Sequence, residues 1–227
     1  MNHNDIKNPY FLIFALLLVG LLGLCVYFHM IDMDRAVATL HEGGLIETLS
    51  ALGYITCLGI MIIMGRLTYV KAHYPLMLII VLFDLRELDF DKRFTETGLL
   101  QSRIFTSADV ILTERIIGLL VMALIIGLII YIVRYYVFAW VSRLIRLDMV
   151  AVGVALAMVF MVVSKSIDGL GRKLEPLGIM VNEQAAFTAA VFEEVFELGI
   201  PILLIIITVG YFQQSADTHQ SSELRHL

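Results

Sequence analysis

Six blocks of roughly twenty mostly apolar residues, set apart by clusters of charge, restrict what this chain can fold into more than any other feature. Inside hydrocarbon there is no water to satisfy backbone N–H and C=O groups. Each block must therefore close its own hydrogen bonds as an α-helix. A closed barrel would need strict apolar–polar alternation, and the blocks show none. The fold class that follows is all-α, a polytopic integral membrane helix bundle. Composition agrees: 59% of residues are hydrophobic and 16% are charged, against about 25% charged in a soluble domain.

The blocks predict transmembrane spans at about 10–30, 45–65, 68–88, 110–135, 148–165 and 190–212, in one domain covering 1–212. Residues 213–227 are polar and rich in Ser, Gln and His, which predicts a disordered tail. Between the first two spans, Ile31–Gly44 is polar and predicts a short interfacial helix closed by Gly43-Gly44. The third span is the weakest. Its purely apolar part is only Leu76–Phe83, and Asp84, Arg86 and Glu87 begin before the bilayer thickness is used up. Phe94–Ala108 reads as a surface connection. Tyr131, Tyr135, Tyr136, Phe138 and Trp140 lie among Arg134, Arg143 and Arg146 and form an aromatic belt. Asn182 is placed to cap the last helix, and Pro201 falls inside it. Cys25 and Cys57 both lie in apolar blocks, which predicts free thiols.

Six spans put both termini on one side and sort the charges. That side receives 4 of the 21 acidic residues and 7 of the 16 basic ones. The opposite side then carries a net charge of -8 against +3, consistent with the whole-chain value of -5. The aromatic-basic segment 131–146 favours cytoplasmic termini. The expected location is a cell membrane, a bacterial inner membrane, with the acidic face outside.

On the acidic side, Glu193, Glu194 and Glu197 share one broad helix face by their i,i+3 and i,i+4 spacing. Glu47, Glu87 and Asp168 end other helices at the same surface, so the five residues Glu47, Glu87, Asp168, Glu194 and Glu197 are expected to converge on one cavity. Crowded carboxylates there need a cation, a proton or a basic side chain. A divalent cation held by Glu193, Glu194, Glu197, Glu87 and Glu47 is one expectation. Glu194, Glu197 and Asp168 would then do the chemistry, as bases toward water at a lipid headgroup. Arg86, Lys165 and Arg172 are candidates to meet a phosphate. Alternatively, Arg86 or Lys165 replaces the metal as neutraliser.

Three function classes fit. The first is a metal-dependent hydrolase acting on a lipid or lipid-linked substrate. The second is a cation- or proton-coupled transporter. The third is a sensor, scaffold or accessory subunit without catalysis. The bilayer is the implied partner, nucleic acid is not, and a homo-oligomer is compatible. HExxH, Walker A, GxGxxG and GxSxG patterns are absent. Neither the CAAX-type peptidase pattern nor the histidine-rich ceramidase pattern is completed.

Overall fold

A computed structural model of the chain describes residues 7–40, 43–90 and 110–223. Its elements are α1 (Lys7–Met30), α2 (Met33–Leu40), α3 (Leu45–Glu87), α4 (Leu112–Ile132), α5 (Phe138–Ile145), α6 (Met149–Ile167), α7 (Leu170–Leu174) and α8 (Glu183–Glu223). All are α-helices, as the apolar blocks require. Among the described residues five helical stretches are long and apolar enough to cross a bilayer, and Met33–Glu87 is the longest of them.

That longest stretch doubles back. Tyr54 and Phe83 of α3 have ring centroids 6.2 Å apart, where one straight helix would separate them by about 44 Å. The reversal falls at Arg66, whose φ of 55° and ψ of -175° are non-helical. α3 is therefore a hairpin with a first arm, 45–65, and a second arm, 67–87. Each arm reaches about 31 Å, enough for one crossing. The second arm is also interrupted at His73 (φ -121°, ψ 19°), two residues before Pro75. The proline ring and its missing N–H break the hydrogen-bond ladder there. With the hairpin counted as two arms, the five apolar stretches offer six helical segments long enough to cross, the number expected.

α8 is the central helix. It packs most extensively against α6 and α3, and then against α1. More than half of its apolar window is buried (56%), against 11% for the peripheral α4 stretch. Small residues allow the close approaches. A β-carbon on Gly53 would fall 2.8 Å from Pro201 Cβ, and one on Gly199 would fall 2.6 Å from the Phe160 ring.

Contacts along α8 give the direction of α1 and α6. At its start, His29 Nε2 of α1 meets Thr188 Oγ1 at 3.1 Å. Near its far end, the Tyr10 hydroxyl of α1 donates to Gln213. α1 and α8 are therefore antiparallel, and the start of α1 lies beside the far part of α8. α6 is antiparallel to α8 as well, with Met149 against Gly210 and Ser164 against Glu197. One end of the bundle gathers the acids. The other gathers Tyr69, Tyr136, Tyr211 and Phe212.

Helix ends follow local chemistry. Asp148 caps α6 by accepting from the Val150 and Ala151 N–H groups, and Arg143 pairs with it at 2.9 Å. Asn182 caps α8 by accepting from Ala185 N at 2.8 Å. Gly43 takes a φ of +78° just before α3, in the left-handed region open to glycine.

Several boundaries differ from the sequence expectation. The fourth span does not stop at 135. It passes through a π-helical stretch, Val133–Val137, into α5 and ends at Ile145. Trp140 sits on this extension and donates from Nε1 to Ala151 O at 3.1 Å. The last helix begins at Glu183, directly after the expected cap Asn182, so seven of its residues precede the expected span of 190–212. It stays helical to Glu223, through most of the expected disordered tail. Residues 224–227, the connection Phe94–Ala108, and Asp91 and Arg93 lie outside the described residues.

Candidate functional site

Glu197 is the hub of the acidic end. It is 7% exposed, and its Oε1 has three partners. Ser164 Oγ donates to it at 2.7 Å, Lys165 Nζ lies at 2.5 Å, and Arg86 Nη2 lies at 3.5 Å. These partners come from the last turn of α6 and the end of the α3 hairpin. One carboxylate thus ties three membrane-spanning elements together. Lys165 is shared, since its ammonium also sits 3.5 Å from Asp168 Oδ2. Its backbone oxygen accepts from Lys173 Nζ at 2.7 Å, which anchors α7 beneath the site.

Glu87 is as buried as Glu197, again 7% exposed. It lies within electrostatic range of Glu197, Arg86, Glu47 and Lys165. Among the described residues it has no hydrogen bond and no ion pair of its own. Glu194 is in the same position, half-buried and within range of Glu197, Glu193, Glu87 and Glu47. Glu193 faces Asp168, Glu197, Lys165 and Arg86. Five carboxylates, Glu87, Asp168, Glu193, Glu194 and Glu197, therefore meet two cations, Arg86 and Lys165. A buried charge without a partner is costly, so the excess needs a proton, a mobile cation or water.

Glu87 and Glu197 open on one cavity of about 160 Å³. Tyr54, Arg86, Ser164 and Lys165 supply its other polar groups, and Phe83, Met161 and Ile200 make its apolar wall. Ile200 lies nearly a turn beyond Glu197, so the cavity extends from the carboxylates toward mid-bilayer. Tyr54 is within electrostatic range of Glu87, Glu197, Arg86 and Asp84.

The chain matches no protein-family model, no curated protein and no solved structure. Its chemistry is read from this geometry alone.

Glu87, Asp168, Glu193, Glu194 and Glu197 gather around Arg86 and Lys165. Glu47 stands at the margin, and its Oε2 accepts the Gly43 N–H at 2.5 Å, so it serves the turn that starts α3. Arg172 is exposed and stays out, with its guanidinium over Gly169. Among the described residues no three His, Cys, Asp or Glu side chains are arranged to hold a metal ion. Lys165 and Arg86 stand beside Glu197. Of the partners, Ser164 had the weakest signal in the sequence, being one serine at the end of an apolar helix. Tyr54 was legible, since it follows Glu47 by seven residues and Ser50 by four, on one helix stripe.

Proposed function

We propose that this protein is a proton-translocating carrier of the membrane, with the Glu87–Glu197 cavity as its ion site. One observation carries the reading. Two buried carboxylates from different helices open on the same cavity, and among the described residues only Glu197 of the two has cations within ion-pair distance. Glu87 is then the group that takes up and releases the proton. Arg86 and Lys165, paired with Glu197, supply the positive charge beside it. Lys165 has a second acceptor in Asp168, so it can move between two carboxylates as the charge on Glu87 changes. Glu193 and Glu194 are half-buried within electrostatic range of Glu197, and their charge draws cations toward the cavity. A metal-dependent lipid hydrolase finds less support, because the described residues offer no group of three ligands.

The reading places the protein in a cell membrane, a bacterial inner membrane, with the acidic end outside and the aromatic end in the cytoplasm. Arg134, Arg143 and Arg146 support that orientation.

The test is voltage-driven proton uptake into sealed liposomes that hold the purified protein and a pH-sensitive dye. Wild-type protein is expected to carry protons well above protein-free liposomes. Glu87→Gln is expected to lose at least about tenfold of that rate. Wild-type flux no higher than the protein-free background would end the carrier reading.

A further inference from the structure

A second cavity opens at the aromatic end. Its volume is about 340 Å³, and Met64, Tyr69, His73, Tyr211 and Ser215 are among the residues that line it. Along α8, Ile200 of the first cavity and Tyr211 of the second are about 16 Å apart. The core between them is mainly apolar, with Leu203, Ile207 and Met61 all buried.

One polar contact interrupts that apolar layer. Cys57 Sγ and Thr208 Oγ1 lie 3.5 Å apart, both buried. Five polar or charged residues are buried among those described. Four of them, Ser50, Glu87, Ser164 and Glu197, belong to the acidic end. Thr208 is the fifth, and it sits between the cavities. Polar side chains continue on either side of it. Tyr54, which lines the first cavity, precedes Cys57 by one helical turn on the first arm of α3. The Tyr69 side chain, which lines the second cavity, is within electrostatic range of Cys57. Tyr69 in turn packs against His73 at 4.4 Å and Tyr211 at 5.8 Å between ring centroids.

We propose that protons entering at the acidic end cross the bundle through Tyr54, Cys57, Thr208 and Tyr69 and leave by the cavity at the aromatic end. This path rests on the carrier reading above. Each hydroxyl or thiol accepts a proton on a lone pair as it releases its own to the next group. One proton is moved, and every side chain ends as it began. Water entering from the two cavities bridges the wider gaps, and the Cys57–Thr208 contact is the narrowest point. A hydroxyl that served only to hold two helices together would be replaceable at little cost to flux.

The experiment compares Thr208→Val, Thr208→Ser and Glu87→Gln in the same voltage-driven liposome assay. Thr208→Val keeps the shape and removes the hydroxyl, and its flux is expected to fall about tenfold or more. Thr208→Ser restores the hydroxyl and is expected to stay within about twofold of wild type. Cys57→Ala provides a second route to the same loss should Thr208→Val not fold. Wild-type flux in both Thr208→Val and Cys57→Ala, with flux lost in Glu87→Gln, would overturn the path and leave the carrier standing. Absence of flux in the wild type would overturn both.

Discussion

The Lys165 ammonium lies 2.5 Å from Glu197 Oε1 and 3.5 Å from Asp168 Oδ2. A cation on α6 therefore bridges the central helix and the end of its own helix. Removing it leaves Glu197, at 7% exposure, with the more distant Arg86 as its cation.

Lys165→Met is expected to lower stability by about 1–2 kcal/mol, less than for a fully buried pair because Lys165 is partly exposed and Arg86 remains beside Glu197. The double substitution Lys165→Met with Glu197→Gln removes both charges and is expected to recover most of that loss. The midpoint of thermal unfolding in one detergent is the measurement. A single variant as stable as the wild type would mean that Lys165 does not neutralise Glu197.

The hairpin turn gives a second prediction. Arg66 holds a φ of 55° with ψ near 180°, a region that a side chain bearing a β-carbon enters at a cost of about 1–3 kcal/mol. Arg66→Gly is expected to keep or raise stability, by up to about 1 kcal/mol once the looser unfolded chain is counted. Its neighbour behaves in the opposite way. A β-carbon on Gly65 would meet Tyr69 Cβ at 2.6 Å, so Gly65→Ala is expected to destabilise by about 1–3 kcal/mol. If Arg66→Gly unfolded at a clearly lower temperature than Gly65→Ala, the reversal would lie elsewhere.

Sidedness gives a third. Met180 is 88% exposed in the segment before α8, and Ser215 is exposed beyond the aromatic end. Single cysteines at these positions, with Cys25 and Cys57 replaced by alanine, are expected to react from opposite faces. A membrane-impermeant maleimide added to spheroplasts should label Met180→Cys at once. Ser215→Cys should label only after permeabilisation. Equal labelling of both in intact spheroplasts would contradict an α8 that crosses the bilayer between them.

Local chemistry made much of the fold legible. Asn182 and Asp148 cap the helices they precede because a cap needs only an acceptor beside the first free N–H groups. Cys25 and Cys57 are free thiols, buried in apolar helices. The α2 helix lies inside the polar segment 31–44, as its composition predicts. The candidate site was only partly legible. Asp84 and Glu87 begin before the third apolar block is long enough to span, and that early charge marked Glu87 as facing inward. Nothing in the spacing distinguished Glu47, which bonds to its own turn, from Glu87, which bonds to nothing described.

The sequence by itself determined that this chain is a membrane bundle of long apolar helices and that the acids collect at one end. Those properties depend on the length of apolar runs and on the order of charges along the chain. The tertiary structure decided that α8 is central, that the second and third helical arms form one hairpin turning at Arg66, and that Glu197 receives Ser164, Lys165 and Arg86 while Glu87 receives none among the described residues. Which side chains meet depends on the rotation of each helix about its own axis. A helix apolar on every side does not record that rotation in its sequence. It is set by packing, where Gly53 admits Pro201 and Gly199 admits Phe160.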